Sequence, residues 1–74
     1  MQEFLFTMYV SFEDFLPYYQ GVADKVEVKD SHGRVLWING RHFRPFVTAS
    51  GVKGHFKLQI DQDGKFVSLK KLSA

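Results

Sequence analysis

No cysteine occurs anywhere in this 74-residue sequence, so a disulfide framework, a thiolate zinc site and a cysteine nucleophile are all excluded. Proline is scarce as well, with only Pro17 and Pro45, and no stretch approaches the ~20 apolar residues of a membrane span. The opening MQEFLFTMYV carries Glu3 where a secretory signal carries positive charge, and its apolar residues alternate instead of forming one run. A soluble, cytoplasmic protein with no membrane partner is the expectation. A chain this short buries only roughly 60% of the surface its unfolded form exposes, so it needs a dense core. Eight phenylalanines, three tyrosines and one tryptophan can supply it, at ~150–250 Å² per buried ring. Association with another chain is the other common remedy.

From Glu3 to Ser11, Phe4, Phe6, Met8 and Val10 alternate with Leu5, Thr7 and Tyr9, which predicts a strand with one face in the core. Ser11 then reads as a helix N-cap, with Glu13 and Asp14 in the first turn where the helix dipole favours acids. Phe12, Phe15, Leu16 and Tyr19 follow at helical spacing as one apolar face. Pro17 removes a hydrogen bond and crowds the Glu13 carbonyl, which predicts a short, kinked helix stopped at Gly21. Val26 and Val28 alternate with Lys25, Glu27 and Lys29, and Asp30-Ser31-His32-Gly33 supplies a turn into the apolar run Val35 to Ile38. A second hairpin runs from Phe56, Leu58 and Ile60 through Asp61-Gln62-Asp63-Gly64 to a strand from Lys65 to Leu72.

Between the hairpins lies the one long stretch without periodicity, His42 to Phe56. Asn39-Gly40 can start a single helical turn, Pro45 biases Arg44 toward an extended conformation, and Phe43 and Phe46 are expected to point inward. Gly51 and Gly54 suit a bulge or sharp bend at the start of the next strand. The sum is one α+β domain, residues 1–74, of order β-α-β-β-β-β. One short helix packs on a curled, mostly antiparallel five-stranded sheet or a small, partly open barrel.

Charge is unevenly spread. Through Gly33, Lys25 and Lys29 stand against Glu3, Glu13, Asp14, Asp24, Glu27 and Asp30; from Arg34 onward, eight cations face only Asp61 and Asp63. Such asymmetry suits an acidic partner, attraction between the two halves, or pairing of two copies. His32, His42 and His55 are too far apart for a local metal motif, and no paired carboxylate joins them. No serine sits in a recognisable nucleophile elbow, Glu13-Asp14 fit a helix start, and Asp61 with Asp63 fits a turn. Gly51-Val52-Lys53-Gly54 lacks the spacing of a phosphate loop. Neither an enzyme nor a cofactor, metal or small-molecule substrate is expected.

The runs Ser11-x-x-x-Phe15-Leu16-x-Tyr18-Tyr19-x-Gly21, Asp30-x-x-Gly33-Arg34, Arg44-Pro45-Phe46-Val47-Thr48, Gly51-Val52-x-Gly54-x-Phe56 and Lys65-Phe66-Val67-Ser68-Leu69 span nearly the whole chain. Together they resemble a family of short proteins of Gram-negative bacteria catalogued only as a domain of unknown function. Where that family carries an aromatic-Pro-Ala step, this chain has Ile38-Asn39-Gly40. The resemblance transfers no activity and no catalytic residue. It does imply that Leu36 and Ile38 face the core while Trp37, at a position usually polar in the family, faces out.

The best functional constellation is Arg34, Trp37, Arg41, His42 and Arg44, joined by Lys53 and Lys57. Cations neutralise phosphates or acids, and an exposed indole or imidazole offers a stacking face. Against this, Arg44 can brace the linker by bonding its carbonyls, and Trp37 can pack in a dimer interface. The expected activity is protein interaction or self-association, with a homodimer in view. Single-stranded nucleic-acid binding through the same residues is the alternative.

Overall fold

Alternation along the first residues becomes strand β1 (Gln2–Val10), in which Phe4, Phe6 and Met8 are buried and the residues between them exposed. The computed structural model describes residues 1–73. After β1 come helix α1 (Phe12–Tyr19), β2 (Lys25–Lys29), β3 (Val35–Asn39), a 3₁₀ helix (Gly40–Phe46), β4 (Val52–Ile60) and β5 (Phe66–Ser73). Ser11 caps α1 as its sequence predicts, its hydroxyl accepting from the Asp14 N–H at 3.2 Å, and Gly21 follows the last turn at φ 82°. The helical stripe is narrower than expected. Phe15 is fully buried, whereas Phe12 and Tyr19 are exposed and Tyr18 turns in beside Phe15, with ring centroids 5.7 Å apart. Eight residues are too few for a whole stripe to stay against the core.

The expected single five-stranded sheet is instead two antiparallel sheets, β1-β4-β5 and β2-β3. They share one core, and their main chains join where the Ser31 N–H donates to the Leu5 carbonyl at 2.7 Å, beside a bridge between Phe6 and Asp30. The sheet does not close into a barrel. The 3₁₀ helix carries Phe43 into the core, where it is fully buried. Its ring meets Phe6, Phe15 and Phe56 edge-on, at 6.2, 6.3 and 5.8 Å.

That 3₁₀ helix is longer than the single turn expected. Asn39 starts it, its side chain accepting from the Arg41 N–H at 3.0 Å. Arg44 lies inside it and is not extended. Its guanidinium donates to the Tyr19 carbonyl at 2.7 Å, a tertiary anchor that overrides the local bias imposed by Pro45. Gly51 (φ 109°) and Gly54 (φ 142°) take the bend into β4. The β4–β5 register slips between His55 and Phe56 and again between Gln59 and Ile60.

Both hairpin turns use one device. Asp30 Oδ1 accepts from the main-chain N–H of His32 (3.0 Å) and Arg34 (2.7 Å), and Asp61 Oδ1 accepts likewise from Asp63 and Lys65 (both 2.9 Å). They differ in burial. The Asp30 carboxylate is fully enclosed and also accepts from Arg34 Nε at 2.6 Å. Burial pushes this carboxyl up, but the hydrogen bonds from Arg34 and His32 and the Arg34 charge outweigh it and hold the carboxyl below its ordinary range. The stability that follows is present above the ordinary carboxylate pKa and is lost as pH falls through the lowered one. Asp30→Ala should strip two N–H groups of their acceptor, lowering Tm by roughly 10 °C. It should also flatten the acid limb of a urea midpoint against pH plot. An acid limb as steep as that of the parent protein would remove Asp30 from this role.

Candidate binding site

Strand alternation decides where the candidate residues go. In β3, Ile38 is buried and Leu36 half-buried, while Trp37 between them is 62% exposed and stands opposite Glu27 of β2. The orientation implied by the family resemblance is therefore the one found. Trp37 borders a cleft of about 100 Å³ with Leu58 and Ile60 on its floor and His42, Gly64 and Phe66 around it. His42 comes from the 3₁₀ helix and lies flat on Phe66 at the start of β5, with centroids 3.6 Å apart and planes 5° from parallel. Partial burial, with the neighbouring Arg41 charge, holds the imidazole pKa below its ordinary value. The neutral ring stacks without carrying a charge into the cleft. Arg41 is exposed beside it, and among the described residues its guanidinium has no hydrogen-bond or ion-pair partner.

The other candidates lie elsewhere. Arg34 is tied to Asp30 and lies 4.6 Å over the Phe4 ring. Arg44 neutralises an unpaired carbonyl at the C-terminus of α1 and sits 5.3 Å over the Tyr19 ring, a favourable place for a cation at a helix end. Lys53 and Lys57 alternate with inward Val52, Gly54, Phe56 and Leu58, so they emerge on the reverse of β4. Lys57 Nζ is there 3.9 Å from Glu3 Oε2. The seven residues thus form no continuous surface: Trp37 and His42 line the cleft, Arg41 adjoins His42 without lining it, and the remaining four lie elsewhere.

Phe66 is the cleft residue that the sequence pattern misses. A phenylalanine that opens a strand reads as core, and its contact with His42 is made between segments far apart in the chain. Asp30 is the other omission: its turn role is legible, while its burial depends on β1 passing over it. Among the described residues, no cluster of three or more His, Asp or Glu side chains that could hold a metal ion is found, and no helix is long and apolar enough to cross a membrane.

A family model described as "Protein of unknown function (DUF2835)" matches residues 2–72. Searches of curated proteins and of solved structures return no match.

Proposed function

This chain belongs to the DUF2835 family of unknown function, and from its own geometry we propose that it is a small binding module that pairs with a second copy of itself through the Trp37 cleft. The observation that carries this reading is a large indole, 62% exposed, at the edge of a cleft of about 100 Å³ that Leu58, Ile60 and Phe66 help to line. A recess of that size holds roughly one side chain and is well short of the ~300–1,000 Å³ of small-molecule pockets. Trp37 is itself a side chain in search of cover. In a two-fold pair the same patch serves both copies, so each indole can enter its partner's cleft, over Leu58 and Ile60 and against Phe66. Aromatic anchors in desolvated recesses carry much of the energy of such interfaces. The same residues make a poorer nucleic-acid surface, because Arg34 and Arg44 are already engaged within the chain.

Light scattering combined with fluorescence tests this reading, since the chain's lone tryptophan reports directly. Mass should double and the emission shift to the blue as concentration rises, with little change between about 50 and 200 mM salt, over which phosphate binding falls steeply. Trp37→Ala should remain monomeric, with a Tm that does not vary with concentration and equals that of the parent when dilute. A constant monomer mass at every concentration would sink the proposal.

A further inference from the structure

The reverse face of the three-stranded sheet is uncovered, and its composition is not that of an ordinary solvated surface. Its outward rows are Glu3, Leu5, Thr7 and Tyr9 on β1, Lys53, His55, Lys57 and Gln59 on β4, and Ser68 and Lys70 on β5. Three lysines meet a single acid there. Glu3 is moreover shared, accepting from Gln59 at 2.7 Å and lying 3.9 Å from Lys57. Lys57 and Lys70 are direct cross-strand partners, an arrangement of like charges that costs stability unless an anion lies between them. Tyr9, 66% exposed, stands opposite Lys53. His55 is held by Thr7, with Oγ1 and Nδ1 2.8 Å apart. Beside them a groove of about 440 Å³ opens, with Leu5 and Leu72 among its walls and Lys29 and Ser31 on its far side.

We propose that this face binds single-stranded nucleic acid, with phosphates at Lys53, Lys57 and Lys70, one base stacked on Tyr9 and another held in the groove beside His55. The occupant follows from three properties of the surface. Two copies of this chain placed face to face would bring six lysines together with two acids, which disfavours a two-fold dimer through this face. An acidic peptide would satisfy the lysines but has no need of a flat exposed ring or of a groove within the ~300–1,000 Å³ range of ligand pockets. A duplex hides the base faces that Tyr9 and the groove can receive, whereas unpaired bases offer them. Successive outward residues of one strand are ~7 Å apart, so the face presents cations and ring in alternation along a strand-sized track. The site is separate from the Trp37 cleft: Leu58 and Ile60 line the cleft, while Lys57 and Gln59 look out from the opposite side of β4.

Fluorescence anisotropy with a labelled oligothymidylate of about 12 nucleotides tests the inference, that length falling within the ~4–16 nucleotide sites of small single-strand binders. With three phosphates neutralised, the slope of log K against log salt should be about −2, so affinity should fall roughly twenty-fold between about 50 and 200 mM salt. Lys57→Gln with Lys70→Gln should reduce that slope to about −0.7. Tyr9→Ala should weaken binding roughly ten-fold with little change of slope. Trp37→Ala should bind as the parent does. Tyr9 and Lys70 are exposed and Lys57 is half-buried, so a Tm no lower than the parent's for each variant separates lost binding from lost folding. Absence of binding at the lowest salt, equal affinity for polyglutamate or for a duplex of the same length, or an equal loss in Trp37→Ala would each overturn the assignment.

Discussion

Phe43→Ala should remove roughly half of the protein's stability. The side chain is 0% exposed and is the hub of the aromatic core, edge-on to Phe6, Phe15 and Phe56 at once. Those three rings come from β1, α1 and β4. Removing the hub therefore opens a cavity bounded by separate elements, none of which can collapse into it without breaking its own hydrogen bonds. Buried Phe→Ala changes cost about 3–5 kcal/mol, against a total of roughly 4–11 kcal/mol for a domain of this size. Urea denaturation followed by circular dichroism measures the loss, with Phe43→Leu as the companion variant, expected to lose about 1–2 kcal/mol because most of the volume is kept. A cooperative Phe43→Ala protein within about 1 kcal/mol of the parent would mean that the three elements are not held through this ring.

Gly51→Ala should be nearly as damaging, for a reason that involves no lost contact. Gly51 is buried at φ 109°, and a Cβ there would overlap the Val10 carbonyl oxygen and lie 2.6 and 2.7 Å from the Ser11 carbonyl carbon and the Phe12 nitrogen. All three are main-chain atoms at the junction of β1 and α1. They cannot move without disturbing the first register pair of β1 with β4, Val10 with Val52, or the cap of the helix. Backbone strain of ~1–3 kcal/mol adds to overpacking of ~1–3 kcal/mol, for an expected loss of about 4 kcal/mol. Gly64→Ala is the control. Gly64 has φ 81° in the exposed β4–β5 turn, and an added methyl would meet nothing within 4 Å, so only its conformational cost of about 1 kcal/mol applies. Equal destabilisation of the two variants would show that close approach at Gly51 contributes nothing.

These two residues also mark where local pattern ends and three-dimensional arrangement begins. Phe43 reads as inward-facing and Gly51 as a bend from the sequence alone, and both readings hold. What each one meets is set by segments distant in the chain, Phe6 for Phe43 and the β1–α1 junction for Gly51. Tyr18 and Tyr19 make the same point within one helix. Spacing nominates Tyr19 for the core, but the short helix turns Tyr18 inward and leaves the Tyr19 carbonyl and ring to Arg44. The candidate surface was legible only in part. Trp37 and His42 share the cleft, while Lys53 and Lys57 emerge on the reverse of β4 with Tyr9 and Lys70.

The amino-acid sequence alone determined the α+β class, the order of elements, both Asp-led turns and the Ser11 cap, since each depends on neighbours a few residues apart through strand or helix periodicity, turn chemistry or capping. Tertiary structure alone decided that the strands form two sheets and not one, that Asp30 is buried against β1, that Phe66 stacks on His42, and that the cations divide between two faces. Those outcomes depend on which segments meet across the aromatic core, and periodicity within one segment carries no information about the segment that will lie against it.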